Sequence, residues 1–196
     1  MLAKAAQQNR PSIAVIGIGN ILFNDEGLGI YATQFIKQNY RFTPKIDLID
    51  GGTLGMNMIH YYQSYERVLL LDTISVDENS PAGSVYNLDA KILQGLGSCR
   101  KTAHEIEVLQ TLELGALAGD MAEIQIIAMV PEEIDSVVMA LTATVQQAMP
   151  LFIQTIIEEL QKWGIQAFLQ EQRTPLESII NQYNQQQAVS PVANRF

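Results

Sequence analysis

Five short aliphatic runs, at 12–18, 46–50, 68–72, 83–88 and 123–130, constrain this chain more than any other feature. Most are too continuously apolar to keep one face in water, which is the signature of strands buried on both sides. Helical patterns separate them. Leu28, Tyr31, Ala32, Phe35 and Ile36 recur at i, i+3, i+4, i+7 and i+8, and Leu54, Met58, Ile59 and Tyr62 form a second apolar face after the Gly51-Gly52 turn. A third helix is predicted to start near His104, carrying Ile106, Leu109 and Leu112 inward. A fourth is predicted over 136–163, kinked at Pro150 and closed by Gly164 as a glycine C-cap, with a last short strand at 165–169. Strands alternating with helices imply right-handed crossovers. The predicted fold is therefore α/β: a three-layer sandwich whose open, mostly parallel sheet is covered by helices on both faces.

A length of 196 residues suits one core without disulfide staples. The expected organisation is a flexible N-terminal segment over 1–11, a single α/β domain over 12–169 and a polar C-terminal tail over 170–196. That tail is rich in Gln and Asn, carries Pro175 and Pro191, and has Leu176, Ile179 and Ile180 as its apolar cluster. Such a composition buries little and predicts a mobile appendage with at most one short helix. Twelve Lys and Arg against 21 Asp and Glu give a net charge of −9, with the basic residues scattered, so the footprint of a nucleic-acid binder is missing. One cysteine, Cys99, forms no internal disulfide, and no apolar segment approaches the roughly 20 residues that span a bilayer. The expectation is a cytoplasmic protein with no membrane insertion.

The first strand runs into Gly17-Ile18-Gly19-Asn20-Ile21-Leu22-Phe23-Asn24-Asp25-Glu26-Gly27-Leu28-Gly29. A dinucleotide fingerprint needs a third glycine where this chain has Leu22, and Asp25 and Glu26 stand where a phosphate would need amide donors. The loop repels anions and favours a cation. Ligands of open α/β sheets bind at the carboxyl ends of the strands. Glu26 follows the first strand, Asp50 ends the second, Asp72 ends the third, and His104 opens the helix before the fifth. Two carboxylates and an imidazole from separate segments suit a divalent transition metal with positions left open for chemistry.

Four motifs in order and spacing, Gly19-Asn20-Ile21-Leu22 with Asp25-Glu26-Gly27-x-Gly29, Asp50-Gly51-Gly52-Thr53-x-Gly55, Asp72 and the isolated His104, resemble those of the hydrogenase maturation endopeptidases. The resemblance runs from about Ser12 to Ile165. It implies that Glu26, Asp72 and His104 are metal ligands and that Asp50 serves substrate recognition or cleavage. It also implies a protease grouped as aspartic-type, which removes a C-terminal extension from the large-subunit precursor of nickel-iron hydrogenase after nickel insertion. Nickel would be supplied by that nickel-loaded precursor, and other divalent metals would substitute. Glu105 departs from the Gln of many relatives beside the histidine, and the Gln-rich tail has no counterpart in the pattern.

Single residues have plainer explanations. Asp50 before two glycines suits a turn, and Asp72 before Thr73 suits a cap; their joint placement with Glu26 and His104 is what argues for a site. His60 reads as a surface or structural residue, and Tyr61, Tyr62 and Tyr65 as packing and rim residues. Cys99 lies near Arg100, Lys101 and His104, but a catalytic thiol needs a positioned base and oxyanion donors that the loop at 95–101 does not promise. Neither a Gly-x-Ser-x-Gly elbow nor a His-Glu-x-x-His zinc motif occurs. The leading expectation is metal-assisted peptide hydrolysis with Asp50 orienting the peptide or relaying a proton. The alternative is a nickel-sensing binding module or assembly chaperone that docks on the precursor without cutting it.

Overall fold

Leading the sheet is β1 (Ile13–Ile18), buried along its whole length as its unbroken apolar sequence requires. In the computed structural model, which describes residues 13–75, 79–91, 110–115, 117, 119 and 121–189, it is an inner strand, second from one edge of a five-stranded sheet. The chain continues through α1 (Leu28–Asn39), β2 (Tyr40–Thr43), β3 (Asp47–Gly52), α2 (Met58–Ser64), β4 (Arg67–Thr73), β5 (Val85–Asp89), β6 (Glu123–Met129), α3 (Ala143–Lys162), β7 (Gln166–Leu169) and α4 (Leu176–Val189). The sheet order is β3-β1-β4-β6-β5. All pairs are parallel except β5 with β6, so the sheet is mostly parallel with one antiparallel edge. The five predicted runs become these five strands, with ends shifted by a residue or two.

Alternation of side chains about the strands builds two cores. Val15, Leu69, Leu71, Ile127 and Met129 face α1, α3 and α4, meeting Leu28, Tyr31, Ile36, Phe152, Ile156 and Leu160. Ala14, Ile16, Val68, Leu70, Ile126 and Ala128 face the other way, against Met58 and Tyr62 of α2 and Leu112 of a helical stretch at 110–115. Each fully buried Leu or Ile contributes about 1.5–3 kcal/mol, so both faces are needed to hold the sheet.

Three expectations differ from the structure. The run at 165–169 does form a strand, but β7 leaves the main sheet and pairs antiparallel with β2, whose half-buried Tyr40 and Phe42 alternate with exposed Arg41 and Thr43. The helix predicted over 136–163 begins at Ala143, capped by the Thr142 hydroxyl, which accepts from the Val145 amide at 3.4 Å. The residues before it do not join it: Thr142 is extended at ψ 159° with its amide donated to Asp25 at 2.7 Å, and the Val138 carbonyl accepts from the Asn24 amide. Its other end closes as expected. Gly164 at φ +83° lets its own amide reach Gln161 O at 2.9 Å and that of Ile165 reach Leu160 O at 2.9 Å, the paired bonds of a glycine-terminated helix.

The third difference is the tail. Over 176–189 it is a 14-residue helix, α4, and not an undocked segment. Ile179 and Ile180 are 0% and 7% exposed, with Leu176 and Tyr183 packed beside them. The Asn39 side chain at the end of α1 clamps the turn into α4, donating to Thr174 O at 3.0 Å and accepting from the Thr174 amide at 2.8 Å. Polar composition concealed this because three or four apolar side chains on one stripe suffice to dock a helix. The predicted segment at 1–11, the helix at 104–109 and the loop at 95–101 lie outside the described residues.

Candidate active site

Strand order reverses at β1: β3 is added on one side and β4 on the other. In open α/β sheets this is where loops part and leave a ligand crevice. Glu26 stands above it on a short 3-10 turn, Asn24–Gly27, that follows β1. The turn is held against the sheet by the close approach of glycines. A Cβ on Gly19, at φ +133°, would lie 1.9 Å from the Glu26 carbonyl oxygen, and one on Gly29 would lie 2.1 Å from Leu71 O and 2.4 Å from Ile18 O. Only glycine allows the first turn of α1 to sit directly on the ends of β1 and β4. The Asn20 amide closes the loop by donating to Glu26 O at 3.2 Å, and the Gly19 amide ties it to Gly52 O of β3 at 3.0 Å.

The adjacent acids of this turn divide. Asp25 is fully buried, and its carboxylate accepts from the amides of Glu132, Glu133 and Thr142 at 3.0, 3.1 and 2.7 Å and from the Thr142 hydroxyl at 2.9 Å. Its oxygens are thus satisfied by donors inside the protein, whereas its neighbour Glu26 is half-buried. Of the two carboxylates that make this loop acidic, Asp25 is therefore structural. Sequence reasoning missed it because nothing local says that the donors arrive from 107 to 117 residues away.

Asp72, 6% exposed, ends β4 on the other side of the crevice and accepts from the Thr73 amide at 2.8 Å. Behind it lies Tyr62, whose hydroxyl is pushed up to about 12 by burial and by the Asp72 charge, against a lowering contribution from the Thr111 hydroxyl 3.5 Å away. Asp50 is placed differently. It pairs in register with Gly17, which pairs with Leu71, so Asp50 and Leu71 share the α1 and α4 face while Asp72 turns to the α2 face. Asp50 and Asp72 stand on strands separated by β1, about 10 Å apart at the backbone. Exposed Asp50 accepts from the Gly52 amide at 3.1 Å through Oδ1 and from the Tyr183 hydroxyl at 3.0 Å through Oδ2. Burial, then the Asp50 charge, push the Tyr183 hydroxyl well above the usual phenol range. Tyr183 was not foreseen, since its signal is a tertiary contact from the tail.

His104, Glu105 and Cys99 lie outside the described residues. Among the described residues no group of three or more His, Cys, Asp and Glu is arranged to hold a metal ion. Glu26 and Asp72 offer hard oxygen donors, which suit a divalent cation only if further ligands join them. His60 is exposed, whereas Tyr62 and Tyr65 are buried, as their packing assignment required.

An α/β protein with carboxylates from a turn and from a strand end at its strand-order reversal is a class of fold with many activities. Comparison with known proteins narrows it. The model for HycI, hydrogenase maturation protease, matches residues 30–159. The hydrogenase expression/formation protein HoxM of Cupriavidus necator is 30% identical over 154 residues, covering 78% of this chain and 75% of that protein. The hydrogenase 2 maturation protease of Escherichia coli is 24% identical over 160 residues, covering 81% and 96%. Among solved structures, the hydrogenase maturating endopeptidase HybD from E. coli shares the fold with a TM-score of 0.74 at 22% identity, covering 81% of this chain and 98% of that one. The chain belongs to the hydrogenase maturation protease family.

Proposed function

We propose that this protein removes the C-terminal extension from the large-subunit precursor of a nickel-iron hydrogenase, and that it does so after nickel has been inserted. What supports the reading is a maturation-protease fold in which Glu26, in the turn after β1, and Asp72, near the end of the adjacent β4, belong to the two strands at the strand-order reversal. Nickel belongs to the substrate in this reading. Glu26 and Asp72, with His104, meet the metal as it arrives in the precursor, and a metal there polarises a carbonyl or acidifies a water. Asp50 stands one strand away, exposed, and orients the peptide or takes up a proton. Two hard carboxylates hold a free divalent ion weakly, so a precursor without nickel is left uncut.

The deciding experiment incubates the protein with nickel-loaded and nickel-free precursor and reads the mass of the large subunit. Substoichiometric enzyme is expected to shorten the nickel-loaded form alone. Glu26→Gln and Asp72→Asn are expected to stay folded and lose most of that turnover. Equal cleavage of both forms removes the nickel checkpoint; a stable complex with unchanged subunit length replaces the protease with a binding module.

A further inference from the structure

Resting on the reading of Asp50 as a substrate-facing carboxylate, we propose that Tyr183, from the C-terminal helix, is a positioning residue that fixes the Asp50 carboxylate for the precursor. An exposed aspartate at a strand end ordinarily samples several rotamers. Here both oxygens are engaged, Oδ1 by the Gly52 amide of its own strand and Oδ2 by a hydroxyl arriving 133 residues later. A carboxylate has about four lone-pair sites, so two such bonds fix its plane and leave acceptor positions open to solvent.

The hydroxyl itself is held. The Tyr183 ring is half-buried and meets Tyr31 edge-on, with centroids 5.6 Å apart and planes at 83°. Its neighbours on α4 are tethered too: Gln182 accepts from the Gln38 side chain at 2.9 Å, and Asn184 donates to Met139 O at 3.3 Å. One turn earlier, Ile179 and Ile180 anchor the helix in the core. Docking of α4 is thus supplied by apolar burial, while the Tyr183 hydroxyl adds one bond, made to the carboxylate nearest the strand edge. A helix that needed only an anchor would be served by phenylalanine at 183.

The test is single-turnover processing of nickel-loaded precursor by the full-length protein and by Tyr183→Phe, Asp50→Asn, the double variant and Gln182→Ala, with melting temperatures for all. Tyr183→Phe keeps the ring and is expected to melt like wild type, yet to process about tenfold more slowly at saturating precursor, with KM within about twofold. On the Asp50→Asn background the same change is expected to cost less than about twofold, because the carboxylate that Tyr183 positions is gone. Gln182→Ala, which loosens another tether of α4, is expected to leave the rate unchanged. A Tyr183→Phe enzyme at the wild-type rate overturns the proposal, as does a tenfold loss repeated in full on the Asp50→Asn background. If Asp50→Asn shows no turnover, the rate and KM of Tyr183→Phe alone decide. Wild-type protein that leaves the precursor at full length defeats the protease reading itself, a result that no Tyr183 variant can produce.

Discussion

Asp25 and Thr142 are joined twice, by the Thr142 amide on Oδ1 at 2.7 Å and the Thr142 hydroxyl on Oδ2 at 2.9 Å. The same hydroxyl caps α3, so one buried carboxylate links the turn that carries Glu26 to the start of the longest helix among the described residues. The loop between 131 and 142 is wrapped round it, with the Asn24 amide donating to Val138 O at 2.8 Å and the Asp25 amide to Glu133 O at 3.1 Å.

Removing the Asp25 carboxylate is therefore expected to be severe. Asp25→Ala strands three amide donors and a hydroxyl in the interior, and a loss of about 3–5 kcal/mol follows if each costs near the lower end of the usual range. Urea denaturation measures it. A loss below about 1 kcal/mol would show that water replaces the carboxylate and that Asp25 is not the link.

Gly19→Ala tests how Glu26 is placed. The added Cβ meets the Glu26 carbonyl at 1.9 Å, on backbone at φ +133°, so the 3-10 turn must shift. The expected outcome is a folded protein, destabilised by about 1–3 kcal/mol, whose precursor processing falls far more than its melting temperature explains. Processing at wild-type rate would separate the turn geometry from the chemistry.

Truncation after Glu171 removes α4. Burial of Ile179 and Ile180 is worth about 3–6 kcal/mol at most, before the ordering of the helix is charged against it. The truncated chain is expected to melt several degrees lower, measurable by calorimetry, and to lose the hydroxyl on Asp50. An unchanged melting temperature would restore the tail to a dispensable appendage.

Alkaline unfolding follows from the buried tyrosines. Burial pushes Tyr31 up to about 12, and burial with the Asp72 charge pushes Tyr62 up to about 12, whereas both titrate near 10 when unfolded. Between those values the unfolded chain has lost protons that the folded one keeps, so stability is full below about pH 10 and declines as pH rises through 12. Tyr31→Phe is expected to flatten that decline. It should also leave the protein as stable or slightly more so at neutral pH, since the buried Tyr31 hydroxyl has no hydrogen-bond partner among the described residues. Urea midpoints at pH 8 and 11 check both.

Much of the fold around the candidate site was legible along the chain because its signals are local. The five aliphatic runs had to be strands, since only a sheet covered on both faces buries them, which put Gly19, Asp50 and Asp72 at or near the strand ends and Glu26 in the turn that follows β1. Periodicity also located α1, α2 and the glycine stop of α3. Tertiary structure alone decided the rest. Whether Asp25 or Glu26 turns inward depends on amides more than a hundred residues away, and whether Asp50 and Asp72 share a face depends on strand register. That α4 docks, and brings Tyr183 to Asp50, depends on a groove that exists only once α1, α3 and the sheet have packed. Backbone preference and apolar spacing act within a few residues and are written in the sequence. The satisfaction of a buried carboxylate and the docking of a polar helix are long-range, and they are fixed only when the folded core supplies the partner.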